Sequence, residues 1–285
     1  MYNYDKTTVK SIFEKILAGN LSADAFAWFQ ESQSFNTKFA VLPRKTGKAQ
    51  INYDQADAAQ LAALIPGFSI GNWTADRLGR AYLLLNLDAG DKENYFRLIE
   101  KLFLAAEVSE LVALYSALPV YAYPEMWTKR CSEGIRSNIA NVLEAIMYHN
   151  PYPAKYLDEA AWNQLVLKAF FTDKVVSNIE GLDSRANKAL AYIISDYVHE
   201  RRAARREINP SLWRLVGPFI DDKLLEDVKW ALESGVTVNK NAAALALAQS
   251  NYQPAVELLS GYSELKTAME QKGLTWDSLT LHYQQ

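Results

Sequence analysis

The chain has 285 residues, 49% of them hydrophobic and 22% charged, with a formal net charge of -3. That balance describes a soluble globular protein with a sizeable core, and the missing basic excess argues against a nucleic-acid partner. Cys131 is the single cysteine, which excludes an intrachain disulfide and any multi-cysteine metal site and fits a reducing, cytoplasmic setting.

Met1 to Lys15 carries Asp5 and Glu14 where a secretory leader would be basic and then apolar, so no leader is expected there. From that point apolar residues recur at helical spacing along almost the whole chain, without sustained strand alternation, and the expected fold is all-α. Helices are expected near 5–18, 22–34, 54–64, 74–87, 91–105, 107–118, 125–149, 158–171, 184–206, 209–219, 221–233, 239–249, 252–259 and 275–282. Ser22, Thr74, Asp91, Asp158 and Asp183 or Ser184 stand where a side-chain oxygen can accept from a first-turn N–H. Residues 36–53 hold Pro43, Gly47 and the basic trio Arg44, Lys45 and Lys48, and read as an exposed basic loop with room for a short hairpin. Only fourteen uncharged residues separate Glu110 from Glu125, with Pro119 among them, against about 20 needed to cross a bilayer. Many helices with short connections suggest antiparallel pairs in one domain over 1–285, an irregular αα-superhelix of HEAT or armadillo-like kind without a fixed repeat.

Read as one helix, 125–149 gathers Cys131, Ile135, Ile139, Val142, Leu143 and Ile146 on one side and Arg130, Glu133, Ser137, Asn141, Glu144 and Tyr148 on the other. Glu133 and Glu144 would then lie about 16 Å apart along the axis, too far for the carboxylate pair of a glycosidase. An ion pair between Arg130 and Glu133 is the favoured reading of that polar side. His149-Asn150-Pro151-Tyr152-Pro153 ends the helix, because a residue before proline avoids the α region. Tyr152 and the prolines are expected against Trp162, with His149 as a candidate ligand contact. No further histidine stands near enough in sequence to make a zinc site, and no metal or cofactor is expected.

Further along, His199 is expected at the surface near Asp196, Arg201 and Arg205 in structural ion pairs or on helix-end carbonyls, and Arg202 and Arg206 in solvent. Arg44-Lys45-Thr46-Gly47-Lys48 lacks the first glycine and the Ser/Thr after lysine of a P-loop, so nucleotide hydrolysis is unsupported, and a simple anion contact from Arg44 and Lys48 is retained as a candidate. Trp73, Trp127, Trp162 and Trp213 read as core plugs.

Glu133-Gly134-Ile135-Arg136-Ser137-Asn138, Asn150-Pro151-Tyr152-Pro153, Ala160 to Ala169 (AAWNQLVLKA) and Gly181-Leu182-Asp183-Ser184-Arg185-Ala186-Asn187 resemble the EboA family of bacterial metabolite-traffic proteins. Leu111 to Pro119 and Asn209 to Arg214 support the likeness, which is strongest over about 107–220. The resemblance implies a helical protein encoded beside a membrane prenyltransferase-like protein and other gene-cluster partners, at the inner face of the membrane, moving a lipophilic, prenylated product toward the cell envelope. It carries over no catalytic residues.

The reading therefore leans against an enzyme and toward a scaffold or metabolite-binding adaptor. Its candidate ligand contacts are Glu133, Arg136, Ser137, Asn141, Glu144, His149, Trp162 and Lys168. The alternative is an enzyme acting on a prenylated or phosphorylated metabolite, with His149 or Glu144 as base and Arg136 or Lys168 as anion clamp. A HEAT-like nucleic-acid binder would need a contiguous basic stripe.

Overall fold

The computed structural model describes residues 1–31, 34–271 and 273–283. Among these every named element is a helix, and the only extended pairings are two isolated bridges, Gln50 with Thr74 and Tyr148 with Ile179. The all-α class expected from periodicity is what the chain adopts. No helix among the described residues is long and apolar enough to cross a membrane. The chain divides into two compact units, Met1–Leu165 with Asn178–Glu180, and Val166–Ser177 with Gly181–Gln285.

The first unit contains α1 (Lys6–Asn20), α2 (Ala23–Gln30), α3 (Phe35–Thr46), α4 (Gln55–Leu64), α5 (Ala75–Leu85), α6 (Lys92–Ala105), α7 (Val108–Ser116), α8 (Thr128–Ile135), α9 (Ala140–Met147), α10 (Tyr152–Tyr156) and the first part of α11 (Glu159–Phe171). Its hub is α5, which packs on α1, α3 and α7, with α9 beyond α7. All residues of α5 except Arg77 are buried, the pattern of a helix with neighbours on every side. Gly79 makes room for α3, since a Cβ there would lie 3.0 Å from Leu42 Cδ2.

Two expectations fail here for identifiable reasons. Residues 35–46 are not a loop but α3, with Ser34 as N-cap and Pro43 inside the last turns. Proline has no N–H to give the carbonyl four residues back. That carbonyl, on Phe39, instead accepts from Arg80 Nε at 3.0 Å, so α3 continues past its proline. Residues 47–54 remain outside helix, and Gly47, at φ 71, ends α3.

The expected helix 125–149 is also broken, into a 3-10 turn at Pro124–Trp127, α8 and α9. Ser137 Oγ accepts from the Ile139 N–H at 3.1 Å, the kind of local bond by which serine competes with a helix ladder. The break rotates Ile139 out to 38% exposure, whereas Cys131, Ile135, Val142, Leu143 and Ile146 are buried as expected. Gly134 sits where α8 comes closest to its neighbours, because a Cβ would lie 2.5 Å from Tyr115 Cε1 and 2.6 Å from Ile146 Cδ1.

The caps at Ser22, Asp91 and Asp158 are made as expected, each accepting from the N–H three residues on. Thr74 precedes α5 but its hydroxyl goes to Asp76 instead. The expected helix 22–34 ends at Gln30, and residues 32 and 33 lie outside the described residues.

The second unit carries the end of α11 with α12 (Lys188–Ala203), α13 (Trp213–Val216), α14 (Asp222–Leu232), α15 (Thr237–Ala248), α16 (Gln253–Ser260), α17 (Ser263–Gln271) and α18 (Trp276–Tyr283). Here α15 is the hub, and its small residues Ala242, Ala243, Ala244 and Ala246 are fully buried beneath α13, α14, α16, α17 and α18. The helix expected to start after Asp183 or Ser184 starts at Lys188, capped by Asn187. Asp183 is engaged elsewhere, accepting from Nε and Nη2 of Arg214, each at 2.6 Å.

His199 is exposed, as expected. Its Nε2 lies 2.5 Å from Oδ1 of the buried Asp227, whose Oδ2 accepts from Ser195 Oγ at 2.6 Å. Asp196 meets Lys223. Arg202, expected in solvent, stacks 4.2 Å over the Trp230 ring. Arg201 Nε donates to the carbonyl of Glu207, in the loop after α12, and not to a helix-end carbonyl.

Candidate functional site

The site begins with a short backbone pairing in the first unit. Ile51 N–H donates to the Trp73 carbonyl at 3.1 Å and Ala75 N–H to the Ala49 carbonyl at 2.9 Å. This clamps the segment after α3 along the start of α5 and brings Lys48 beside Thr74, Asp76 and Arg77. With Val108, Ser109 and Val112 of α7 and Asn141, Glu144 and Ala145 of α9, these residues line a chamber of about 450 Å³. That volume lies within the range of small-molecule sites.

Two further cavities adjoin the chamber in series through shared lining residues. A second cavity of about 560 Å³ shares Lys48 and Ser109 with it and adds Arg44, Arg80, Glu107 and Glu110. A third, of about 280 Å³, shares Ala40, Ala105 and Glu110 with the second and is walled by Phe39, Leu98 and Leu102. These three neighbouring cavities make up a groove, and each is lined by both polar and apolar side chains.

Charge in the groove is distributed unequally. Arg80 is fully engaged: Nε on Phe39, Nη1 on Asp76 Oδ2 at 3.2 Å, and Nη2 3.8 Å from Glu110. Asp76 also accepts from Thr74 Oγ1 at 2.6 Å. Glu107 and Glu110 cap the start of α7 reciprocally.

Arg77 is held by one side only. Its Nε donates to Ser116 Oγ at 2.6 Å, and its guanidinium lies 4.8 Å over the Trp73 ring. Burial pushes the Arg77 guanidinium down to about 10, partly offset by Asp76 and then Glu144. It remains a cation at neutral pH, but one its surroundings under-compensate.

Of the residues proposed from sequence, Asn141, Glu144, Lys48 and Arg44 meet in this groove. The others do not line it. Glu133 forms the expected ion pair with Arg130 Nη1 at 2.9 Å, and Arg130 also binds Glu100. Arg136 is an exposed C-cap of α8, and Ser137 serves the break before α9.

His149 has a left-handed backbone (φ 51), with its N–H on the Asn178 carbonyl and its carbonyl accepting from Ser69 N–H. Trp162 is fully buried, as are Trp73, Trp127 and Trp213, the expected core plugs. Lys168 belongs to the second unit. Glu144 lines the chamber, while His149, Arg136 and Lys168 are not among its lining residues.

Asn150 is buried and structural, its Nδ2 donating to the carbonyls of Tyr115 and Ala145 and its Oδ1 accepting from Tyr152 N–H. Cys131 is fully buried, and desolvation raises its thiol pKa, which keeps it an unreactive thiol. Among the described residues no three His, Cys, Asp or Glu side chains are grouped to hold a metal ion.

Sequence reasoning missed Arg77. The available signal was a pair of arginines, Arg77 and Arg80, set among the apolar residues of Trp73–Leu85.

No curated protein and no solved structure matches the chain. A family model described as metabolite traffic protein EboA matches residues 9–217, a span that includes every residue of the groove. The chain belongs to the EboA family.

Proposed function

We propose that this EboA family member serves metabolite traffic as a binding adaptor, holding a lipophilic metabolite in the groove of its first unit without changing it chemically. In this reading it works in the cytoplasm, at the inner face of the membrane, and exchanges its cargo with proteins of the same gene cluster, a membrane prenyltransferase-like protein among them. One observation carries the reading: the chamber of about 450 Å³ in the first unit is lined by apolar Val108, Val112 and Ala145 together with polar Lys48, Arg77, Asn141 and Glu144. Pockets for small organic ligands have this mixture, with apolar walls for affinity and a few placed polar groups for orientation.

The test is retention. Purified protein incubated with a lipid extract of the source cells and analysed by native mass spectrometry is expected to keep a small molecule of unchanged mass. Ser109→Trp, which places an indole at a residue lining both the first and the second cavity, is expected to lose it. Equal retention by Ser109→Trp, or conversion of the bound molecule on incubation, contradicts the reading.

A further inference from the structure

Resting on that groove, we propose that the bound molecule carries an oxyanion, a carboxylate or phosphate, docked on the free edge of the Arg77 guanidinium with Lys48 as its second contact. The geometry of Arg77 points there. With Nε fixed on Ser116 and one face stacked on Trp73, the group presents its two Nη atoms as a planar fork. Neither Nη makes a hydrogen bond or ion pair within the described residues. An arginine whose fork is pre-oriented and partly desolvated suits bidentate recognition of an oxyanion.

The nearest carboxylate does not neutralise it. Asp76 is buried and already accepts from Thr74 and Arg80. Glu144 lines the same chamber and weakens the positive field, but Lys48 adds a second cation, exposed and without an ion pair among the described residues. Arg44 lines the second cavity together with Lys48. A half-buried cation that the fold leaves partly uncompensated is costly, and such costs concentrate where a ligand completes the site.

The experiment uses the full chain and four probes below their micelle concentrations: decyl phosphate, decanoate, decanol and sodium phosphate, each titrated by calorimetry. Decyl phosphate and decanoate are expected to bind at least about tenfold more tightly than decanol. Arg77→Met is expected to weaken decyl phosphate about tenfold while leaving decanol unchanged, and Arg77→Lys to recover only part because an ammonium lacks the fork. Lys48→Met is expected to weaken it less, and Lys129→Met, an exposed lysine away from the groove, not at all. Sodium phosphate binding as tightly as decyl phosphate would keep the oxyanion contact and remove the apolar chain from the ligand. Decanol binding as tightly as decyl phosphate, with Arg77→Met indifferent, overturns the proposal but leaves the groove reading standing. Binding of all amphiphiles that survives in Ser109→Trp overturns the groove itself.

Discussion

Three residues apart on α5, Arg80 and Arg77 divide the first unit into a closed side and an open one. Arg80 is 1% exposed, and every arm of its guanidinium meets a chain acceptor, including the Phe39 carbonyl that Pro43 leaves free. Arg77 is anchored through Nε and a ring face alone, at the edge of a chamber. The contrast separates two uses of an arginine on one buried helix. One is compensated by the fold and holds it together, while the other is positioned by the fold and left with unfilled hydrogen-bonding capacity.

The largest expected effect is on the closed side. Arg80→Met strands Asp76 and the Phe39 carbonyl without their donor and is expected to cost about 3–5 kcal/mol in urea unfolding. A loss of less than about 1 kcal/mol would break the comparison, because Arg80 would then be no more structural than Arg77. Gly134→Ala forces a methyl group against Tyr115 and Ile146, and about 1–3 kcal/mol of destabilisation is expected by the same assay.

The buried tyrosines of the first unit give a pH signature. Tyr95, Tyr121 and Tyr152 are all raised from 10.0, in each case chiefly by burial. Their folded pKa values exceed the unfolded one, so their contribution is fully present below pH 10 and is lost as pH rises beyond it. Urea midpoints are expected to hold to about pH 9.5 and fall steeply above it, and an unchanged midpoint at about pH 11 would contradict the burial of these hydroxyls.

The smallest effect on stability is expected from Arg77→Met. Loss of the Ser116 bond and the Trp73 stack is set against removal of a cation disfavoured by burial, leaving a change within about 1 kcal/mol. Stability near wild type with lost ligand affinity sharpens the division between the two arginines.

Much of the helical framework is legible in the sequence because periodicity and caps are local. Ser22, Asp91 and Asp158 act on N–H groups three residues away, and the pattern of apolar residues shows which side of α6 or α12 is buried. The misread segments depend on distant partners. Pro43 looks like a helix stop until Arg80 supplies the missing donor to Phe39 from 41 residues away. Asp183 looks like a cap until Arg214 takes both its oxygens.

The site was legible in part for the same reason. Asn141, Glu144, Arg44 and Lys48 were named on their chemistry and line the groove, whereas Glu133 keeps the local pair with Arg130 that helical spacing already offered. Arg77 and Arg80 are only about 60° apart on a helical wheel, so no one-dimensional pattern tells the closed arginine from the open one.

The most direct measurement follows the Nε–H resonances of these two arginines by nitrogen-15 NMR while decyl phosphate is added. The Arg77 signal is expected to shift with saturation and the Arg80 signal to stay in place. A shift at Arg80 with none at Arg77, or bound ligand with neither resonance moving, would contradict the assignment of the open side of α5 as the site of recognition.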